Sequence, residues 1–219
     1  MEAYTTAAAL GQACAEAVQA CLAQGIASRG QATLVATGGR APGPVYDALR
    51  AGGLDWASMV VTLSDERCFE TSAPQSNARL VRERLLQGDA AQARFLPLWP
   101  QPEEAALAAL LPFDAVLLGM GEDGHVASLI PGSPALAEGL TTERLSLAVP
   151  AGAGSPPLAR ITLSLAALMQ ARAIFLLIAG AAKREVLVRA RAGEDLPVGR
   201  LLGQSEVPVR VFWAPSHEG

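Results

Sequence analysis

The chain has 219 residues, and its 21 acidic and 17 basic residues give a formal net charge of −4. That length is about one and a half times a typical domain, and it can bury a large core without disulfides or metal staples. General nucleic-acid binders and membrane-surface proteins carry a basic excess, so the mild acidity argues against both classes. The longest apolar run, 173–182, is ten residues long and too short to span a bilayer.

The cysteine pattern predicts a reduced, cytoplasmic compartment. Cys14 and Cys21 lie seven residues apart in a helical pattern, about 10 Å along the axis, which is beyond disulfide reach. Cys68 stands alone and no Cys-x-x-Cys occurs, so neither a redox motif nor a zinc ribbon is expected. Glu2 and the lack of a basic cluster near the start make a secretory signal peptide unexpected.

Apolar spacing predicts helices and strands that alternate along the chain. Helical periodicity covers 14–22, and Gly25 is expected to end that helix. Further helices are expected to begin near Pro44 and after a Ser76 cap, and to span 103–111 and 182–191. Continuous apolar runs predict strands at 32–36, 59–63, 115–118, 145–149, 161–165, 174–178 and 209–213.

Such buried strands between helices indicate an α/β fold. We expect a mostly parallel, doubly wound, Rossmann-like sheet with helices on both faces. The chain shows no internal repeat and no clean boundary, so 1–219 is expected to form a single domain. The Gly-, Pro- and Ala-rich segment 150–157 is expected to be a surface loop or lid rather than a linker.

Four polar clusters follow four of the predicted strands. They are Gly38-Gly39-Arg40, Asp65-Glu66-Arg67, 119–125 and 181–184. Because ligands of open α/β sheets bind at the carboxyl ends of strands, the clusters predict one shared cleft. The glycine pair suits close approach of a phosphate to backbone amides, although a tight turn would also use it. Lys183, the only lysine, opens a helix where the dipole disfavours a cation, so it indicates either a bound anion or a solvated helix face.

The segment 119–124 matches G-x-G-x-x-G, but a dinucleotide site is not expected. Glu122 and Asp123 would meet the pyrophosphate, and Pro131 cuts short any following helix. The loop instead presents His125, for which a working base is favoured over a buried structural histidine.

Other chemistries lack the residues they need. His217, the other histidine, lies near the carboxyl end and is expected to be disordered, so no metal ligand set is available. No G-x-S-x-G nucleophile elbow occurs. General acid–base chemistry on a small phosphorylated substrate is the function that these residues indicate.

Taken together, the clusters resemble the 6-phosphogluconolactonase family, within the wider group that includes glucosamine-6-phosphate deaminase. The resemblance rests on 37–42, on 65–67 with 76–77, on 118–129, and on 160–163 with Gly180 and Lys183. The most specific part is Gly-x-Asp-Gly-His with Ala-Ser-Leu and Pro131-Gly132, which is typical of the lactonases. The deaminases share Asp-Gly-His but continue differently, and they carry Asp-Glu-Tyr in place of Asp-Glu-Arg. This chain departs from the family at Arg40, where Ser or Thr is usual.

The resemblance implies hydrolysis of 6-phospho-D-glucono-1,5-lactone to 6-phospho-D-gluconate, the second step of the oxidative pentose phosphate pathway, without a metal or cofactor. His125 is expected to activate water, Arg67 to stabilise the oxyanion or orient the substrate, and Asp65 to orient His125 or a sugar hydroxyl. The substrate- and phosphate-binding residues are expected to be Gly38, Gly39, Arg40, Asn77, Arg160 and Lys183. A monomer or small homo-oligomer without nucleic-acid or membrane partners is expected.

Two alternatives stay open. An aminosugar-phosphate isomerase or deaminase would use the same cleft with a base that shuttles a proton between neighbouring carbons, and it would release ammonia. A non-catalytic sugar-phosphate sensor is expected to carry an attached DNA-binding segment, and none is expected within these 219 residues.

Overall fold

The computed structural model describes residues 1–216, so the expectation for His217 lies outside the described residues. The strands are β1 Glu2–Ala3, β2 Ala32–Ala36, β3 Met59–Leu63, β4 Asp65–Arg67, β5 Arg94–Phe95, β6 Ala115–Gly119, β7 Ser146–Val149, β8 Arg160–Leu163, β9 Ile174–Ala179 and β10 Val209–Ala214. The α-helices are α1 Ala7–Arg29, α2 Gly43–Ala51, α3 Asn77–Arg84, α4 Glu104–Ala108, α5 Leu136–Thr141, α6 Leu165–Met169, α7 Ala181–Arg191 and α8 Pro197–Leu202.

A seven-stranded sheet in the order β1-β10-β9-β6-β2-β3-β5 forms the centre of the molecule. All of its strand pairs are parallel. Strands β2 and β3 are buried at every position, as expected where a parallel sheet is covered on both faces. The predicted α/β, Rossmann-like fold is confirmed.

The order in which strands are added to the sheet reverses between β2 and β6, although the two strands are parallel. From β2 the chain proceeds outward to β3 and β5, and then returns to the other side of β2 as β6 before continuing to β9 and β10. This reversal is the topological switch point, where open α/β sheets form a crevice outside the carboxyl ends of their strands. The clusters predicted after β2, β6 and β9 therefore follow three neighbouring strands.

A second, three-stranded sheet in the order β4-β8-β7 is antiparallel. It refines the sequence prediction in two ways, because the polar cluster 65–67 is itself a strand, and the strands expected at 145–149 and 161–165 lie outside the parallel sheet. Its register places Asp65 opposite Thr162 and Arg67 opposite Arg160. The small sheet thus brings two of the predicted polar segments side by side.

Helix α1 continues past Gly25, so the predicted end was wrong. It begins after Thr6, whose Oγ1 accepts a hydrogen bond from Ala9 N at 3.1 Å, and it ends at Gly30 with a φ of 72°. A Cβ on Gly25 would lie 2.6 Å from Asp114 Oδ1. That glycine permits close packing of the helix on Asp114 instead of breaking the helix.

The remaining helices follow the predictions with shifted ends. Helix α2 includes Pro44 in its first turn, and Ser76 Oγ caps α3 by accepting from Arg79 N at 3.2 Å. The helix expected at 103–111 is shorter, at Glu104–Ala108. The segment 150–157 contains neither helix nor strand. Among the described residues, no helix combines the length and apolarity needed to cross a membrane.

Candidate active site

An open cleft of ≈ 360 Å³ lies at the carboxyl ends of β2, β6 and β9. It sits at the switch point, where the topology predicts a ligand site. Every site residue proposed from the sequence lines it: Gly38, Gly39, Arg40, Asp65, Arg67, Asn77, His125, Arg160 and Lys183. The structure therefore brings the four polar clusters into one cleft, while the role of each residue remains a prediction.

His125 is paired with Asp123 in the loop after β6. Its Nδ1 lies 2.6 Å from Asp123 Oδ1, and its backbone N–H donates to the same oxygen at 3.2 Å. The imidazole is 27% exposed, so it lines the cleft without being buried. When Nδ1 donates to the carboxylate, Nε2 is left as the nitrogen with a free lone pair.

Burial and pairing with His125 shift the pKa of Asp123 in opposite directions. Partial burial raises the pKa of this carboxyl, but the hydrogen bonds and positive charge of His125 outweigh it and leave the pKa below its ordinary value. Asp123 is therefore a carboxylate near neutral pH, and it can fix the orientation and tautomer of the imidazole.

Glycines make this pairing geometrically possible. A Cβ on Gly121 would lie 2.2 Å from His125 Nδ1, so any side chain there would displace the pair. Gly124 has a φ of 79° and packs on Leu196, and its carbonyl accepts from Val198 N at 3.0 Å. The loop that carries His125 is thus supported by the start of α8 and the residue before it.

Asp65 lies at the cleft floor in a buried hydrogen-bond network. Ser128 Oγ donates to Asp65 Oδ2 at 2.6 Å, and Ser64 Oγ donates to Oδ1 at 3.1 Å. Arg160 Nη1 lies 3.8 Å from Asp65 Oδ2. In the described part of the chain no hydrogen bond joins Asp65 to His125, so the suggestion that Asp65 orients the imidazole is corrected in favour of Asp123. Its other expected partner, a sugar hydroxyl, stays a prediction.

Arg67 and Arg160 retain unused donors beside Asp65. Arg67 Nη1 donates to Gln75 O at 2.7 Å, and Arg160 Nη2 donates to Pro156 O at 2.8 Å. Within residues 1–216, the Nε atoms of both arginines are buried without a partner. Burial lowers the pKa of Arg160 from its ordinary value, Asp65 opposes this, and Arg67 adds to it. A bound oxygen or water could satisfy such donors.

Lys183 and Arg40 supply positive charge where α7 begins. Burial lowers the pKa of Lys183, the negative charges of Glu122 and Asp123 oppose this, and the neighbouring Arg40 lowers it further. The helix starts after Gly180, which has a φ of 87° and gives no side-chain cap. Its first amides have no acceptor within the helix. Two cations and free amides make this part of the cleft suited to a phosphate.

Asn77 is already engaged within the protein. Its Nδ2 donates to Asp65 O at 2.9 Å, and a Cβ on Gly38 would lie 2.0 Å from its Oδ1. Gly38 therefore allows the chain after β2 to pass directly over Asn77. Gly39 has a φ of 89° and open space where a Cβ would lie, so it can approach a ligand.

Sequence reasoning missed several members of the site. From the sequence, Asp123 counts only as a negative charge that a pyrophosphate would meet, although its position two residues before His125 is a signal for the pairing. Ser128 and Thr162 lie in segments on which the family resemblance rests, but nothing singles out their hydroxyls, and Ser64 is an isolated hydroxyl of a kind common in any chain. Across the described residues, no three His, Cys, Asp or Glu side chains form a possible metal site.

Residues 5–213 match the family described as glucosamine-6-phosphate isomerases/6-phosphogluconolactonase. The chain belongs to this family, which defines its class as sugar-phosphate enzymes of the Rossmann-like fold.

The names of individual relatives give a more specific activity. A 6-phosphogluconolactonase of Caulobacter vibrioides is 40% identical, covering 98% of this chain and 97% of its own. That of Rhizobium meliloti is 39% identical, covering 98% of both chains. The crystal structure of a 6-phosphogluconolactonase from Shewanella baltica superposes with a TM-score of 0.90 at 38% identity, covering 97% of this chain and 96% of that one. The expected family and the expected lactone-hydrolysing class of enzyme are confirmed.

Proposed function

We propose that this chain hydrolyses 6-phospho-D-glucono-1,5-lactone to 6-phospho-D-gluconate, the second step of the oxidative pentose phosphate pathway, with His125 as general base. The observation that carries the proposal is the His125–Asp123 pair, 2.6 Å apart, in a cleft that also holds Lys183 and Arg40. One part of the cleft provides a base and another provides charge for a phosphate. The identity of the substrate is inferred from the names of the relatives.

The proposed chemistry begins with a water between His125 Nε2 and the lactone carbonyl carbon. The imidazole takes a proton as the water oxygen bonds to that carbon, and Asp123 stabilises the resulting imidazolium. The carbonyl oxygen becomes an oxyanion, which the guanidinium donors of Arg67 can stabilise. When the intermediate collapses, the bond to the ring oxygen breaks and the imidazolium returns its proton to that oxygen. The product at this point is a carboxylic acid with a new hydroxyl, and the acid then releases its proton to solvent to become the carboxylate, so atoms and charge balance.

The phosphate is held, in this proposal, by Gly39, Arg40, Lys183 and the first amides of α7. Gly38 allows that loop to pack closely on the Asn77 side chain. Arg160 contacts Asp65 and Ser128, so we place it beside Arg67 at the ring end of the substrate, instead of at the phosphate as the sequence suggested. Asn77 acts through Asp65 and Gly38, which it contacts directly.

An aminosugar-phosphate deaminase remains the second candidate, because the same family includes such isomerases. The cleft favours hydrolysis, because the residue that follows Glu66 in the cluster is Arg67, whose guanidinium can donate hydrogen bonds to an oxyanion. The wild-type protein should open the lactone well above its spontaneous rate and release no ammonia from glucosamine 6-phosphate. A cytoplasmic location, a monomeric or small homo-oligomeric state, a single domain over 1–219 and independence from cofactors remain predictions.

Replacing His125 tests the proposal most directly. His125→Asn should lower kcat by about 10² to 10⁴, the usual contribution of a positioned base, while the circular dichroism spectrum and KM change little. The rate of lactone opening is measured with the spontaneous reaction subtracted. A variant that keeps more than half of the wild-type kcat would remove His125 from the mechanism.

A further inference from the structure

Glu66 is the one member of the Asp-Glu-Arg cluster to which the proposed reaction gives no task. Its side chain is fully buried. Since side chains alternate along a strand, Glu66 in β4 points away from the face that presents Asp65 and Arg67 to the cleft. Burying a carboxylate is costly unless hydrogen bonds compensate it.

Four hydrogen bonds provide that compensation, and all four are donated to Glu66. Its Oε1 accepts from Arg67 N and Asn77 N, each at 2.7 Å. Its Oε2 accepts from Ser76 Oγ at 2.9 Å and from Ala78 N at 2.7 Å. A group that only accepts is used as a carboxylate, and at the start of α3 its negative charge also suits the helix dipole.

Glu66 anchors residues 76–78, and this segment with the adjacent Gln75 holds the cleft residues in turn. Gln75 O accepts from Arg67 Nη1 at 2.7 Å. Asn77 Nδ2 donates to Asp65 O at 2.9 Å, and its side chain lies against Gly38. The start of α3 therefore sets the position of the Arg67 guanidinium and of the Asp65 backbone, and Glu66 is the group that ties this start to β4.

We propose that Glu66 is a positioning residue for lactone hydrolysis, which holds Arg67 and Asp65 in their catalytic geometry by anchoring 75–78 to β4. The inference rests on the proposed function. It gives the middle residue of the cluster a role in turnover, exerted through its two neighbours. Displacing a reacting or stabilising group by about 1 Å costs as much as 10²-fold in rate.

Glu66→Gln is the primary variant, because it keeps the volume but turns an NH2 group toward backbone donors. We expect kcat to fall about 10- to 100-fold and KM to stay within about threefold, since the phosphate cations lie outside 75–78. The inhibition constant of inorganic phosphate should stay within twofold. By NMR, the amides of Asn77 and Ala78 should exchange at least tenfold faster.

Asp114→Asn is the matched control, because Asp114 is another buried carboxylate that anchors the backbone. It is 1% exposed, accepts from Thr33 N at 2.8 Å and precedes β6, at the amino-terminal end of this central strand, whereas the cleft lies at the carboxyl end. It should lower Tm as Glu66→Gln does but leave kcat and KM near wild type. An equal loss of kcat in Asp114→Asn would overturn the proposal, because general destabilisation would then explain both variants.

A milder variant decides the question if Glu66→Gln does not fold. Ser76→Ala removes one donor to Glu66 and the α3 cap, and it should lower kcat by more than threefold. Ser164→Ala removes a comparable buried cap, in which Ser164 Oγ accepts from Ala167 N at 3.0 Å, and should leave kcat unchanged. Wild-type kcat in folded Ser76→Ala would overturn the proposal.

The two proposals fail in different ways. Absence of lactone hydrolysis by the wild-type protein would defeat the proposed function. Wild-type kcat and KM in folded Glu66→Gln would defeat the positioning role alone, and would make Glu66 a purely structural cap.

Discussion

At the scale of single residues, the cleft separates two kinds of polar group. Asp123, Asp65 and Asn77 are bonded to other protein groups and fix geometry. Arg67, Arg160 and Lys183 retain donors or charge that a ligand can use. This division would allow a chain with a net charge of −4 to bind an anion, because the local positive charges and not the net charge face the cleft.

Lys183 offers the test of the phosphate site. Lys183→Met keeps the apolar stem but removes the charge, and a charge-assisted hydrogen bond contributes about 1.5–3 kcal/mol. Because the phosphate is remote from the lactone carbonyl, KM should rise roughly 10- to 100-fold with a smaller change in kcat. The variant should also discriminate less against unphosphorylated gluconolactone. A KM within twofold of wild type would assign Lys183 to a solvated helix face.

Asp123 predicts a particular pH dependence. Because its folded-state pKa lies below the ordinary 3.8, the pairing stabilises the fold fully above that pH and is lost as pH falls through the folded-state pKa. Asp123 stays ionised from pH 5 to 8, so the acidic limb of log kcat/KM should have a slope of one. A slope of two would show that Asp123 titrates with the base.

At the scale of elements, close contacts between helices and strands stabilise the sheet, and one of them lies beside the cleft. Helix α1 packs on β2 and β6 through Gly25 and Asp114, and the Asp114 carboxylate accepts from Thr33 N in β2. The start of α3 is tied to β4 through Glu66. The α1 contact lies at the amino-terminal ends of β2 and β6, away from the cleft, and stabilises the sheet, whereas the α3 contact lies beside the cleft residues Asp65 and Arg67.

Gly25→Ala tests the packing of α1. The added Cβ would meet Asp114 Oδ1 at 2.6 Å, and such overpacking costs about 1–3 kcal/mol. Urea unfolding followed by circular dichroism should show that loss, with kcat near wild type. Gly199→Ala is the control, since the nearest atom to its Cβ is at 3.5 Å, and it should be neutral or stabilising. Equal stabilities of the two variants would contradict the packing argument.

At the scale of the whole molecule, one switch point gathers residues that are far apart along the chain. Residues 38–40, 65–67, 119–125 and 183 reach the same cleft, and each follows the carboxyl end of a strand or lies in the small sheet beside it. No group of metal-binding side chains accompanies them within the described residues. The base, the oxyanion donor and the phosphate cations that we propose are all side chains of this chain.

The reaction should therefore proceed without metal. Dialysis against a strong chelator should leave the rate of lactone opening unchanged, because His125 can activate water without a Lewis acid. Activity that is lost on dialysis and restored by one particular divalent ion would contradict this expectation.

The sequence by itself determined the fold class and most members of the cleft. Continuous apolar runs favour the strands of a covered parallel sheet, and polar clusters after such strands meet at one end of the sheet. The resemblance of 118–129 and 65–67 to the lactonases determined the class of reaction. These inferences depend on which residues are neighbours along the chain, and this can be read from the sequence alone.

Only the tertiary structure decided the pairings. That Asp123 and not Asp65 contacts His125, that Arg160 lies beside Asp65, and that Glu66 anchors α3 all depend on distances between segments. Gly25 shows the same limit of sequence-based prediction, because a glycine that permits close packing cannot be distinguished in the sequence from one that ends a helix. Strand partners and side-chain contacts are set by packing among distant residues, and so the antiparallel β4-β8-β7 sheet could not be predicted from local periodicity.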